Sequence, residues 1–185
     1  MSEHQLETYL CEHPQQCLGP HHIIIGRQIR VAHGIIDVLA IWTSPTGSQC
    51  VQVIELKERE LKAQDIAQVL RYRLDIYTTM LDYAVNQPPP SEIPEINRAF
   101  TGSLACIAGC EPVLIGDGCS PHVLAAADSA GVAVRKWRYG PHNTLTTEAM
   151  RPEPIPATPT YPGWMHDIAR RYEKACAQSY KWSQM

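Results

Sequence analysis

The chain has 185 residues, of which 44% are hydrophobic and 19% charged, with a formal net charge of −3. That length fits one domain with an appended element, and the apolar share suffices for a buried core. The acidic balance excludes a uniformly basic nucleic-acid binder, so such a partner would have to meet locally concentrated Lys and Arg. With one Phe in the chain, core volume falls on Ile, Leu, Val and Ala. The seven cysteines are odd in number and scattered, with no Cys-x-x-Cys pair. They support neither a zinc site nor a disulfide framework and read as small core hydrophobes of a reducing cytoplasm. Glu3, Glu7 and Glu12 interrupt the first turns, so no signal peptide is expected, and no apolar run approaches a membrane span.

In chain order, Ser2 to His13 reads as a helix capped by Ser2, with Leu6, Tyr9 and Leu10 as its inner stripe and Pro14 after its end. Glu7 lies at the edge of that stripe, where a solvated acid on an amphipathic helix is the ordinary reading. Leu18-Gly-Pro20 breaks the chain, and His21 to Val31 reads as a strand. Within it, Gln28 could touch a site or hydrogen-bond an adjacent loop. His21 and His22 are adjacent in a strand and so point to opposite faces, which favours structural or solvent roles over a shared metal.

Gly34 to Trp42 and Val51 to Lys57 are apolar, β-branched runs around the loop Thr43–Ser48, the pattern of an antiparallel hairpin. Residues two apart share a face of a strand. Asp37 therefore falls in phase with Leu39 and Ile41, and Glu55 with Val53 and Lys57. Charges inside a core strand are unfavourable unless paired, hydrogen-bonded or bound to a metal. Asp37 could be a turn residue or an ion-pair partner, and Glu55 and Lys57 could pair with each other. One lysine cannot balance two acids, however, so a divalent cation is the simplest cause. Two carboxylates and the Leu56 carbonyl make a hard oxygen set suited to Mg²⁺ or Mn²⁺, with Lys57 facing a phosphate oxygen or an attacking water.

From about Gln64 the chain turns helical, with Ile66, Val69, Leu70, Leu74, Tyr77, Met80, Leu81 and Ala84 at helical spacing. Gln68 and Tyr72, four apart, share one face. They could serve a site or simply pack a helix flank on the sheet. Arg71 and Arg73 could contact phosphates or stay solvated. Gln87 to Pro94 is a stiff proline-rich connection, Leu104 to Ala108 reads as a strand, and Pro121 to Ala130 as a helix ended by Gly131. Val132 to Trp137 reads as the last strand, with Arg135-Lys-Trp-Arg138 as a basic edge or a brace for nucleic acid. Gly116-Asp-Gly118 lacks the lysine and full glycine pattern of a phosphate loop and reads as a turn. This order of elements implies an α/β domain with a mixed sheet and flanking helices.

Asp37, then Glu55-Leu-Lys57, then Gln68-Val-Leu-Arg71-Tyr72 on the following helix resembles the signature of the PD-(D/E)XK nuclease superfamily. The likeness is greatest to the RecB-like and archaeal NucS-type branch, which carries a helical QxxxY motif. Ile36 stands where the superfamily name has proline. The resemblance covers the first half of the chain well and Leu104 to Tyr139 loosely. Prolines at 152, 154, 156, 159 and 162 mark a linker over 151–163, and Trp164 to Trp182 reads as a terminal helix within the segment 164–185. The resemblance implies a restriction-endonuclease-like core over residues 1–150. It implies further that Glu7, on the first helix, joins the site, with Glu3 as the alternative. The expected activity is metal-dependent DNA endonuclease cleavage. Asp37, Glu55, the Leu56 carbonyl and Glu7 would hold Mg²⁺ or Mn²⁺, Lys57 would orient the attacking water, and Gln68 and Tyr72 would support them. The expected partner is single-stranded, branched or duplex DNA, with a homodimer through the terminal helix as a further expectation. A non-catalytic nucleic-acid-binding or protein-interaction module on the same fold is the alternative.

Overall fold

The computed structural model describes residues 1–86, 107–141 and 144–152. Helix α1 (Glu3–Glu12) starts at a reciprocal cap: the Ser2 hydroxyl accepts the Gln5 N–H while the Gln5 side chain accepts the Ser2 N–H at 2.8 Å. Pro14 does not merely follow that helix. It opens a second short one, α2 (Pro14–Leu18), at the first-turn position where a missing N–H does no harm. Strands β1 (His22–Val31), β2 (Gly34–Thr43) and β3 (Gln49–Leu56) then form an antiparallel meander. Helix α3 (Ala63–Asn86) crosses over to β4 (Ile107–Gly116), which lies parallel to β3. Helix α4 (Pro121–Ser129) leads to β5 (Ala133–Tyr139), parallel to β4, and β6 (Leu145–Met150) closes the sheet antiparallel to β5. The six strands lie in the order of the sequence, so the mixed sheet has its parallel part in the middle.

Both faces of that sheet are covered, which explains why β3 is apolar almost throughout. Leu39, Ile41, Val51, Val53 and Leu114 pack against Ile66, Val69, Ile76, Leu124 and Ala127 of α3 and α4. Val38, Ala40, Ile54, Leu56, Val113 and Trp137 pack against Leu6, Leu10, Cys17 and Leu18 of α1 and α2. The expected α/β architecture with flanking helices is therefore the observed one. The described residues all lie in one compact unit, Met1–Pro152.

Three sequence expectations need correction. The strand expected at Leu104–Ala108 is β4, which runs through Glu111 and Pro112 to Gly116. Pro112 argues against a central strand, but pairing with β5 begins only at Val113, so no ladder donor is missed on that side. The strand ending near Trp137 is not the last, because β6 follows it. Leu145-Thr-Thr-Glu-Ala-Met150 has too little alternation to be read as a strand and is held by pairing with β5. Consequently Arg135–Arg138 is not an exposed edge: Trp137 is buried, and Arg135 donates to Thr147 Oγ1 and the Cys17 carbonyl. The proline-rich connection at 87–94, the linker after Pro152 and the helix expected at 164–182 lie outside the described residues. Among the described residues no helix is long and apolar enough to cross a membrane.

Candidate metal and phosphodiester site

The site forms where β2 parts from β3. Pairing of the two strands runs from Thr43↔Gln49 to Val38↔Ile54 and stops one residue short of Asp37. Freed from the ladder, the Asp37 carboxylate takes the place of a strand partner: its Oδ2 accepts the Leu56 N–H at 2.8 Å. The face alternation slips at the same point, since Ile36 joins the α3 side and Val38 the α1 side although they are two apart.

Glu55, the last residue but one of β3, is 2% exposed. Its Oε1 accepts from Lys57 Nζ at 2.6 Å and from Gln68 Nε2 at 2.7 Å. Its Oε2 is buried with no hydrogen-bond partner. Gln68 also donates to the Tyr72 hydroxyl at 3.0 Å, so the two α3 residues act along one helix face. Lys57 lies just past β3 and is anchored by its own N–H, which donates to the Ile115 carbonyl at 2.8 Å.

Glu7 reaches the same corner from α1. Its Oε1 accepts from Arg27 Nε at 2.7 Å and its Oε2 from Gln28 Nε2 at 2.6 Å. The Gln28 amide also lies 3.3 Å from Asp37 Oδ1. Glu7, Asp37, Glu55, Lys57, Gln68 and Tyr72 thus sit together at one end of the sheet. Of the two contacts open to Gln28, its amide meets the acids Glu7 and Asp37 and not an adjacent loop. Arg27 carried no sequence signal beyond its place beside Gln28. His22 is structural, its Nδ1 lying 2.9 Å from the Gly19 carbonyl oxygen.

The electrostatics reflect two acids sharing little solvent. Burial, then the Asp37 charge, push Glu55 up to about 7 against the pull of Lys57. Burial also raises Asp37, opposed by the Leu56 N–H and Lys57 and assisted by the charges of Glu3 and Glu7. Burial works against the Lys57 charge, but the Glu55 carboxylate outweighs it, so Lys57 is raised and stays protonated. Glu3, one turn before Glu7 on α1, contributes its field to Asp37, Glu55 and Lys57.

A divalent cation is compatible with this donor set. Glu55 Oε2 is an acid oxygen held in the interior without a donor, and Asp37 Oδ1 has only the long contact to Gln28. Oxygen ligands of this kind suit a hard cation. As placed, no three His, Cys, Asp or Glu side chains among the described residues converge on one metal position. The fit therefore rests on two carboxylates and backbone oxygen.

No protein-family model matches the chain, and no curated protein matches it. Similar solved structures include a repair endonuclease from Pyrococcus abyssi, at 17% identity and TM-score 0.48, aligned over 83% of this chain and 48% of that one. They also include an EndoMS–dsDNA2 complex, at 18% identity and TM-score 0.46, aligned over 83% of this chain and 46% of that one. A third is Pyrococcus furiosus SfsA in complex with Ca²⁺, at 13% identity and TM-score 0.37, aligned over 82% and 65%. The chain spans about half the length of the first two.

Proposed function

We propose that the protein is a Mg²⁺- or Mn²⁺-dependent nuclease that hydrolyses phosphodiester bonds in DNA. The observation that carries this reading is Glu55 Oε2, a buried acid oxygen without a partner beside a second carboxylate, Asp37. Leaving such a group unmatched is unfavourable, and a bound cation would remove the penalty. Asp37, Glu55 and the Leu56 carbonyl would hold the cation. When bound, it would supply Lewis-acid activation of a water and neutralise charge building on the phosphate. Lys57, kept protonated, acts as a donor toward the phosphate or the attacking water and not as a base. Gln68 fixes the Glu55 carboxylate, and Tyr72 fixes Gln68. DNA as substrate follows from the nuclease family that Asp37, Glu55-Leu56-Lys57, Gln68 and Tyr72 resemble.

The test is a panel of labelled single-stranded, duplex, flapped, mismatched and circular DNA incubated with and without Mn²⁺. Cleavage should require the metal. Asp37→Ala and Lys57→Ala should each abolish it while retaining a cooperative melt. Variants that cut like wild type would overturn the assignment. The lack of a third converging acid among the described residues favours one alternative, a non-catalytic module on this fold. Calorimetry that finds no Mn²⁺ uptake by the protein or by its DNA complex would select that alternative.

A further inference from the structure

We propose that Gln28 is a positioning residue of this site, its amide bridging Glu7 and Asp37 so that the Asp37 carboxylate is held ready for a cation. The inference rests on the reading of Asp37 and Glu55 as a cation site, and it extends that site to a residue on β1.

Successive residues of a strand point to opposite faces, yet Arg27 and Gln28 both reach Glu7, at 2.7 and 2.6 Å. The backbone explains how. Gln28 has φ +51, left-handed and unusual for a residue with a long side chain. That turn sets the two side chains on the same carboxylate.

Its position in the sheet is specific. β1 pairs with β2 through Arg27↔Val38 and Ile29↔Ile36, which puts Gln28 opposite Asp37. The irregularity in β1 therefore faces the slip in β2. A strained conformation persists where its surroundings over-determine it, and such residues cluster at functional sites.

The chemistry suits the place. A carboxamide offers two N–H donors without adding charge. It can thus face two anions together, where a carboxylate would repel both and a lysine would compete with the cation. Arg27 meets the other Glu7 oxygen, so the charge of Glu7 is compensated and its carboxylate is fixed from both sides. Glu7 in turn holds the Gln28 amide against Asp37, while the Leu56 N–H holds the second Asp37 oxygen.

Two variants of the full chain, Gln28→Gly and Gln28→Ala, separate this role from a structural one. Both delete the amide, but only glycine accepts the left-handed backbone freely. Metal-free protein is melted in EDTA, and Mn²⁺ uptake is measured by calorimetry without DNA. The glycine variant should melt above the alanine variant, and both should bind Mn²⁺ about 10-fold or more weakly than wild type, the usual effect of removing a ligand's hydrogen-bond partner. Either variant binding Mn²⁺ like wild type overturns the inference, and so does a glycine variant that melts no higher than alanine. Wild-type protein that takes up no Mn²⁺ brings down this inference, and the metal-dependent reading falls with it where the DNA complex takes up none either. Metal uptake by wild type with unaltered uptake by a variant brings down the inference alone.

Discussion

Replacing Glu55 by glutamine should stabilise the metal-free protein at pH 8 and change little near pH 4. The folded protein holds the Glu55 proton up to about 7, against an ordinary value of 4.5, because the side chain is buried and faces Asp37. Between those two values the folded state binds more protons than the unfolded chain, so stability falls as pH rises through the window. A displacement of that size corresponds to about 3 kcal/mol at most, at ~1.4 kcal/mol per pH unit. Glutamine leaves Lys57 facing an amide, which offsets part of the gain, so an increase of about 1–3 kcal/mol is expected at pH 8. For a domain of this size that is a rise in Tm of roughly 2–10 °C. The assay is a set of thermal melts of wild type and Glu55→Gln in EDTA from pH 4 to pH 8. The difference should open between pH 4.5 and 7. Added Mn²⁺ should then stabilise wild type more than the variant. An equal difference at both ends of the range would refute the claim that burial and the Asp37 charge hold Glu55 protonated above the ordinary carboxylate range.

Gly34→Ala should strain the entrance to β2, because Gly34 has φ +147 and a Cβ there would meet the Tyr72 hydroxyl at 2.5 Å. A loss of about 1–3 kcal/mol is expected, measured by chemical denaturation, and DNA cleavage should fall with it as Tyr72 shifts from Gln68. Asp65→Ala should destabilise the start of α3 by about 2 kcal/mol. It removes a two-pronged ion pair with Arg59, with both distances 2.9 Å, and an acceptor for the Lys62 N–H at 2.7 Å. Burial opposes the Asp65 charge, but Arg59 and the Lys62 N–H outweigh it and lower its pKa. The contribution is therefore present above the ordinary carboxylate range and lost as pH falls below it, so wild type and Asp65→Ala should converge in acid melts. Asp37→Ala should lose Mn²⁺ uptake by calorimetry together with cleavage; retained uptake would move the cation elsewhere.

The hairpin was legible because β2 and β3 carry unbroken β-branched runs, and α3 because its apolar positions repeat at helical spacing. β4 was obscured by Pro112, whose harmlessness depends on where the neighbouring ladder begins. β6 was obscured because its residues pack too little to leave an alternating pattern, and its existence depends on the free edge of β5. Gln68 and Tyr72 could be placed on one helix face from their spacing, but not against Glu55, since that needs the register of α3 on the sheet. Arg27 and Gln28 are ordinary polar residues in sequence. Only the left-handed backbone at Gln28 sets both of them on Glu7.

By itself the sequence determined the layered α/β class, because apolar periodicity is a local property that survives without knowledge of the partner. It also marked the intruding acids Asp37 and Glu55, because charge inside an apolar run is unfavourable wherever that run is buried. The tertiary structure alone decided which oxygen atoms have donors. Hydrogen bonds and desolvation depend on ångström-scale distances between segments far apart in the chain, so only the packed fold leaves Glu55 Oε2 unmatched while Lys57, Gln68, the Leu56 N–H and Gln28 engage the other acid oxygens.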